Sequence, residues 1–150
     1  MINSPNTQPI FIRTPAIYSI VLSSELGDAL PTSTLVPKTL LTAPDPAILI
    51  ETIEVQPTGV MIDTVLNLYL YNLTGTQGQS RLISRTALPA VVTLDVDAPI
   101  TVQLPLTNSP LNSLSGSRSL RIPLGWELRV ALSTAIANPV IVTAFGGSYY

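Results

Sequence analysis

The chain contains no histidine and no cysteine, and its 150 residues include only seven basic and nine acidic side chains. Without histidine and cysteine, the usual transition-metal ligands, all thiol chemistry and the commonest general base are missing. No disulfide can form, so cysteine gives no reading of the redox compartment. Charged residues make up 11% of the chain, against about 25% in a typical soluble domain. Net charge is −2 and the isoelectric point is near 4.8, which argues against binding nucleic acid through a basic surface. These absences make catalysis a minority expectation. What the chain has instead is 14 prolines, 46% apolar residues and a mean hydropathy of +0.44.

The low charge has a geometric consequence. A 16.0 kDa monomer exposes about 7,400 Å² when folded, so its charges fall roughly one per 460 Å² of surface. Either the coat is polar but uncharged, or part of it is covered by other subunits. The basic residues are six arginines and one lysine, Lys38; arginine is enriched and lysine depleted in interfaces, which favours covered surface.

No targeting or membrane-spanning segment is expected. MINSPNTQPIFIRTP has no basic start and no long apolar run, unlike a signal peptide. The longest charge-free stretches, Ala98–Ser117 and the residues after Arg129, are interrupted by Pro, Asn, Gly and Ser. Neither offers the roughly 20 apolar residues that a helix needs to cross a bilayer.

Prolines recur too often for helices, and the apolar residues repeat with period 2. Strands are predicted at 48–55, 59–72, 80–88, 91–106, 126–133 and 138–145. In the second of these, Val60, Ile62, Thr64, Leu66, Leu68 and Leu70 are expected on one face, with Met61, Asp63, Val65, Asn67, Tyr69 and Tyr71 on the other. Pro99 breaks the fourth or marks an edge or bulge. The predicted fold class is all-β, an antiparallel β-sandwich or jelly roll. Residues 47–150 form its body. Residues 1–16 read as an extended N-terminal arm that Pro5, Pro9 and Pro15 hold straight. Residues 17–46 are a strand-and-loop region that joins or extends the sandwich; segments 11–13, 17–22 and 38–43 could pair as strands. The Ser/Asn/Gly-rich stretch 107–119 reads as a loop.

Chemistry-bearing groups are few. Asp95 and Asp97 share an outward strand face, but two carboxylates fall short of the ligand count of a hard-cation site. Glu51 and Glu54 lie on opposite faces unless a bulge intervenes, and no sequence feature selects a facing acid/base pair. A serine nucleophile would have only Lys38 as base, without a Ser-x-x-Lys arrangement. No glycine-rich phosphate loop is present. No cofactor, metal, catalytic residue or small-molecule substrate is therefore expected. Asn72-Leu73-Thr74 matches a glycosylation acceptor, without a secretion signal beside it. Trp126 starts an alternating strand and reads as core. Phe11, Ile12 and Tyr18 near the start, and Tyr149 and Tyr150 at the end, are candidate anchors for a partner surface, since large aromatics on termini are costly to leave wet. Arg118 and Arg121 flank a turn and, with Arg129, are candidates for pairing with acidic groups of a partner.

The order of these elements resembles that of small virion proteins of tailed bacteriophages. The shared pattern is an I-x-x-I-x-V strand (Ile50, Ile53, Val55), a T-G turn (Thr58-Gly59) and a V-x-L-x-L strand (Val65 to Leu70). A turn, Ile122-Pro123-Leu124-Gly125, then leads into Leu128-Arg129-Val130, and the chain closes on Val142-Thr143-Ala144-Phe145-Gly146-Gly147-Ser148-Tyr149. The resemblance spans about residues 48–150; the longer N-terminal portion departs from it. It implies a non-enzymatic capsid cement or decoration protein, made in the host cytoplasm and carried on the capsid exterior. Such a protein forms a homotrimer and clamps neighbouring major capsid protein subunits, with no nucleic-acid or membrane partner. The alternative is a tail, fibre or baseplate module of the same fold, binding a host glycan or another virion protein. A carboxylate-dependent hydrolase is the third, enzymatic reading.

Overall fold

The computed structural model describes residues 12–27, 37–43, 48–73, 79–93, 99–104 and 119–149. Within them the chain is all-β. Nine strands run in the order β1 (Ile12–Leu22), β2 (Lys38–Thr42), β3 (Ile48–Pro57), β4 (Thr64–Asn72), β5 (Gln79–Leu88), β6 (Ile100–Val102), β7 (Leu120–Ile122), β8 (Trp126–Leu132) and β9 (Val140–Tyr149). One sheet has the order β1-β9-β3-β6, with β7 also paired to β3, and the other has the order β2-β8-β4-β5. Every ladder is antiparallel, and the two sheets pack face to face as a β-sandwich.

The period-2 pattern fixes which side of each strand enters the core. Ile48, Ile50, Ile53 and Val55 of β3 and Val140, Val142 and Ala144 of β9 line the first sheet's inner face. Leu66 and Leu68 of β4 and Leu128, Val130 and Leu132 of β8 meet them from the second sheet. Most of these side chains have no exposed surface, and each large aliphatic one stabilises the fold by roughly 1.5–3 kcal/mol relative to an exposed position. Trp126 is half-buried against this core.

The spacing Ile50-x-x-Ile53 breaks the alternation, and the structure explains it. The β3–β9 register shifts between Ile50 and Thr52, so Glu51 is an extra residue that lets Ile50 and Ile53 both point inward. β9 meets this bulge with Gly146, where a Cβ would collide with the Leu49 carbonyl oxygen. The Gly-Gly near the end of the chain therefore answers a close backbone approach.

Several elements differ from the sequence reading. Residues 59–63 precede β4 as a separate segment, pinned by an isolated bridge between Met61 and Val91. Here the faces are reversed: Met61 is buried, while Val60 and Ile62 are exposed. The alternation skips a step between Met61 and Thr64, where Ile62 and Asp63 are both exposed, and periodicity alone carries no sign of it. The predicted 91–106 strand is represented by the Val91 bridge and by β6, with Pro99 just before β6; Asp95 and Asp97 lie outside the described residues. The predicted turn into β8 is preceded by a short strand, β7, that the sequence reading did not contain. Residues 12–16, assigned to the arm, are the first part of β1 and pair with the end of β9; residues 1–11 lie outside the described residues.

Candidate contact surfaces

β4 presents two unlike faces. Leu66 and Leu68 point into the sandwich, yet Asn67 and Tyr69 on the opposite face are also fully buried. Gly27 lies against them, at the end of a strap, residues 23–27, that runs alongside the end of β8 and bridges it in parallel at Leu26–Leu132. Leu132 N–H donates to Glu25 O, Gly27 N–H donates to Leu132 O, and Ile136 N–H donates to Ser23 O. Asn67 Nδ2 donates to Gly27 O at 2.7 Å, and Asn67 Oδ1 accepts from Arg85 Nε at 3.1 Å. Gly27 has no room for a side chain: a Cβ would lie 2.6 Å from both the Tyr69 hydroxyl and Ala131 Cβ. This strap explains why the second face of β4 reads as semi-apolar.

Beyond the strap, the second sheet's outer face is polar. Glu127 accepts from Arg129 Nε at 2.7 Å and from the Thr39 and Thr42 hydroxyls. The Arg129 guanidinium carbon sits 3.7 Å from the centre of the Tyr71 ring, a cation–π stack. Burial pushes the Glu127 carboxyl up, but the Arg129 hydrogen bond and charge, with Thr39 and Thr42, outweigh it and hold the group below its ordinary value. Glu25 is also held low, first by the Ser23 N–H; burial opposes this, and Lys38 assists. These carboxylates are satisfied ion-pair members. Neither carries the raised pKa of a general acid.

The first sheet's outer face has a different character. On β1, Ile17 is 68% exposed, Val21 is exposed, and no residue from Thr14 to Leu22 is charged. Across the ladder, Ile17 faces Phe145, Ser19 faces Thr143 and Val21 faces Ile141; these three partners are half-buried. At one end of the sandwich the Met61–Val91 bridge turns its own side chains inward. Val60, Ile62 and Val92 are left facing water, Val92 at 81% exposure. Exposed apolar patches on an otherwise well-packed protein mark contact surfaces.

The residues proposed from sequence as anchors are scattered over this framework. Ile12 and Tyr149 are register partners at one end of the β1–β9 ladder. Tyr18 is half-buried and packs against its own core, and burial raises its hydroxyl pKa. Arg121 lies exposed on β7, opposite Leu49 of β3. Phe11, Arg118 and Tyr150 lie outside the described residues. Sequence reasoning passed over Ile17, Val21, Val60, Ile62 and Val92, because an apolar residue in a period-2 strand looks the same whether its face is covered or bare. Among the described residues, no three acidic side chains gather as a metal site; the bulge at Glu51 is the irregularity that removes the opposite-face placement of Glu51 and Glu54 expected from strict alternation.

These features define an all-β sandwich whose distinctive surfaces are apolar and uncharged. Comparison of the chain with protein-family models, with curated proteins and with solved structures finds no match.

Proposed function

We propose that this chain is a non-enzymatic structural protein of a tailed-phage particle, a cement or decoration protein that trimerises and clamps neighbouring major capsid subunits. The strand order carries this reading. Leaving β7 aside, β1-β9-β3-β6 over β2-β8-β4-β5 is the connectivity of an eight-stranded jelly roll, a fold of viral capsid and lectin domains. Fold alone does not fix function. The surfaces add support: uncharged apolar patches on a rigid body suit permanent contact, because burying them carries little of the desolvation cost that charged groups impose. A cement protein stabilises a shell by binding the assembled form better than loose subunits.

The glycan-binding alternative calls for an open aromatic face. Tyr71, on the polar face of the second sheet, has its ring stacked against Arg129, which favours the structural reading over the glycan one. Light scattering on purified protein tests the proposal. The expected mass is three times the 16.0 kDa chain, and the protein should co-sediment with capsid shells. A monomer at micromolar concentration that stays in the supernatant when shells are pelleted would overturn it.

A further inference from the structure

Among the described residues β1 is an edge strand, and its backbone shows which groups point away from β9. In an antiparallel strand each residue's N–H and C=O point to the same side, alternating along the chain. Three observations fix the phase. Val21 O accepts from Lys38 Nζ at 3.0 Å, so it faces away from β9. Ser19 Oγ lies 3.1 Å from Thr143 Oγ1 directly across the ladder, the close side-chain approach of a non-hydrogen-bonded pair. Pro15, which has no N–H, falls on the same parity, where β9 loses no bond. The outer edge of β1 therefore offers the Pro15 carbonyl, both groups of Ile17, both groups of Ser19 and the Val21 N–H. Among the described residues, only Lys38 reaches this edge.

We infer that β1 pairs antiparallel with β1 of a second copy about a two-fold axis, with Ile17 opposite Ser19 of its partner. The register follows from matching the two defects of the edge. Pro15 lacks a donor, and the Val21 acceptor is already taken by Lys38. When Pro15 lies opposite Val21 of the other copy, the missing donor faces the occupied acceptor, and the Pro15 carbonyl accepts the Val21 N–H. Each Ile17–Ser19 pair then exchanges both of its bonds. A shift to Ile17 opposite Ile17 leaves a Ser19 carbonyl facing a proline nitrogen. A shift to Ser19 opposite Ser19 leaves an Ile17 N–H facing the occupied Val21 carbonyl. Of these three registers, the intermediate one sets the two defects of the edge opposite each other and asks no second bond of the Val21 carbonyl.

The side chains agree with this register. Exposed edge strands are commonly guarded by charge. Here Lys38, paired with Glu25 at 3.3 Å, guards only one end. The open window carries Ile17 and Ser19, with Val21 beside it, so two copies meet without like-charge repulsion. Pairing joins the two first sheets into one and covers Ile17 and Val21. The contact is isologous and closes on itself, so it does not propagate into a fibre. It is a two-fold contact, distinct from the three-fold association proposed above, and neither depends on the other.

Cysteine pairs test the register in a chain that has none of its own. Directly opposed residues in the paired strands have Cα atoms about 5.5 Å apart, within disulfide range; diagonal ones at about 7–8 Å are beyond it. Oxidising an equimolar mixture of Ile17→Cys and Ser19→Cys proteins should give a species at twice the chain mass on a non-reducing gel. Either variant alone should not. Adding Ser19→Pro to the Ile17→Cys protein removes an outward N–H and the Ser19–Thr143 hydroxyl contact but no backbone bond to β9, so its melting temperature should stay close to that of the Ser19→Ala counterpart, which keeps the band, while the band disappears. A mixture that links no better than the single variants, or a band that survives Ser19→Pro, would overturn the pairing. Native mass from light scattering reads both contacts, three chains from the three-fold one alone and a larger multiple of three when β1 also pairs, whereas the gel reports only which chains touch at β1, so failure of one proposal is distinguishable from failure of the other.

Discussion

Replacing Asn67 with alanine tests the strap most sharply. Asn67 is fully buried, with its donor on Gly27 O and its acceptor on Arg85 Nε. Alanine removes one neutral hydrogen bond and one charge-assisted bond. Arg85 is exposed and recovers water, whereas the Gly27 carbonyl is left without its side-chain partner beneath the strap. Summing a neutral bond, a bond to a charged group and partial desolvation gives a loss of about 2–4 kcal/mol. For a chain of this length that lowers the melting temperature by roughly 6–12 °C. The assay is thermal unfolding followed by circular dichroism at fixed protein concentration, because self-association makes the midpoint concentration-dependent. Arg85→Ala alone should cost less, and the double variant should fall short of the sum of the singles, because both share one bond. A shift below about 2 °C for Asn67→Ala, under roughly 1 kcal/mol on the same scale, would refute the claim that residues 23–27 are clamped to the sheet through this side chain.

Gly146→Ala should destabilise the fold, since the added methyl meets the Leu49 carbonyl backbone; chemical denaturation should show a lowered midpoint, and an unchanged midpoint would contradict the close approach. Val92→Ser, at 81% exposure, should leave stability within about 0.5 kcal/mol, and the same melting assay checks it. Glu25 and Glu127 are both held below their ordinary values. Their contribution is therefore present above the unfolded glutamate value of about 4.3 and is lost as pH falls through their lower folded values. Stability measured from pH 7 downward should decline below about pH 4.3, and Glu127→Gln should flatten part of that decline.

The fold class was legible because period-2 patterning and frequent prolines leave few options other than paired strands. β3, β5, β8 and β9 stand within a few residues of where alternation predicts them. The segment 59–63 differs from the expectation because the alternation skips a step at Ile62-Asp63 without a change in composition. Met61 rather than Val60 and Ile62 enters the core, and only the contact with Val91 decides this. Glu51 illustrates the same limit: Ile50-x-x-Ile53 spells the bulge once Gly146 is known to lie across from it, and those residues are nearly a hundred positions apart. The candidate surfaces were the least legible. Which side of β1 is bare depends on what the rest of the chain covers, and the sequence holds that information only through the complete tertiary structure.

A cement protein is defined by where it sits on the particle. Electron microscopy of purified phage particles that carry this chain measures that directly. The expected result is density for three-fold clusters of jelly-roll bodies on the outside of the capsid, bridging neighbouring major capsid subunits. Density confined to the tail or baseplate, or absence of the chain from purified particles by mass spectrometry, would contradict it.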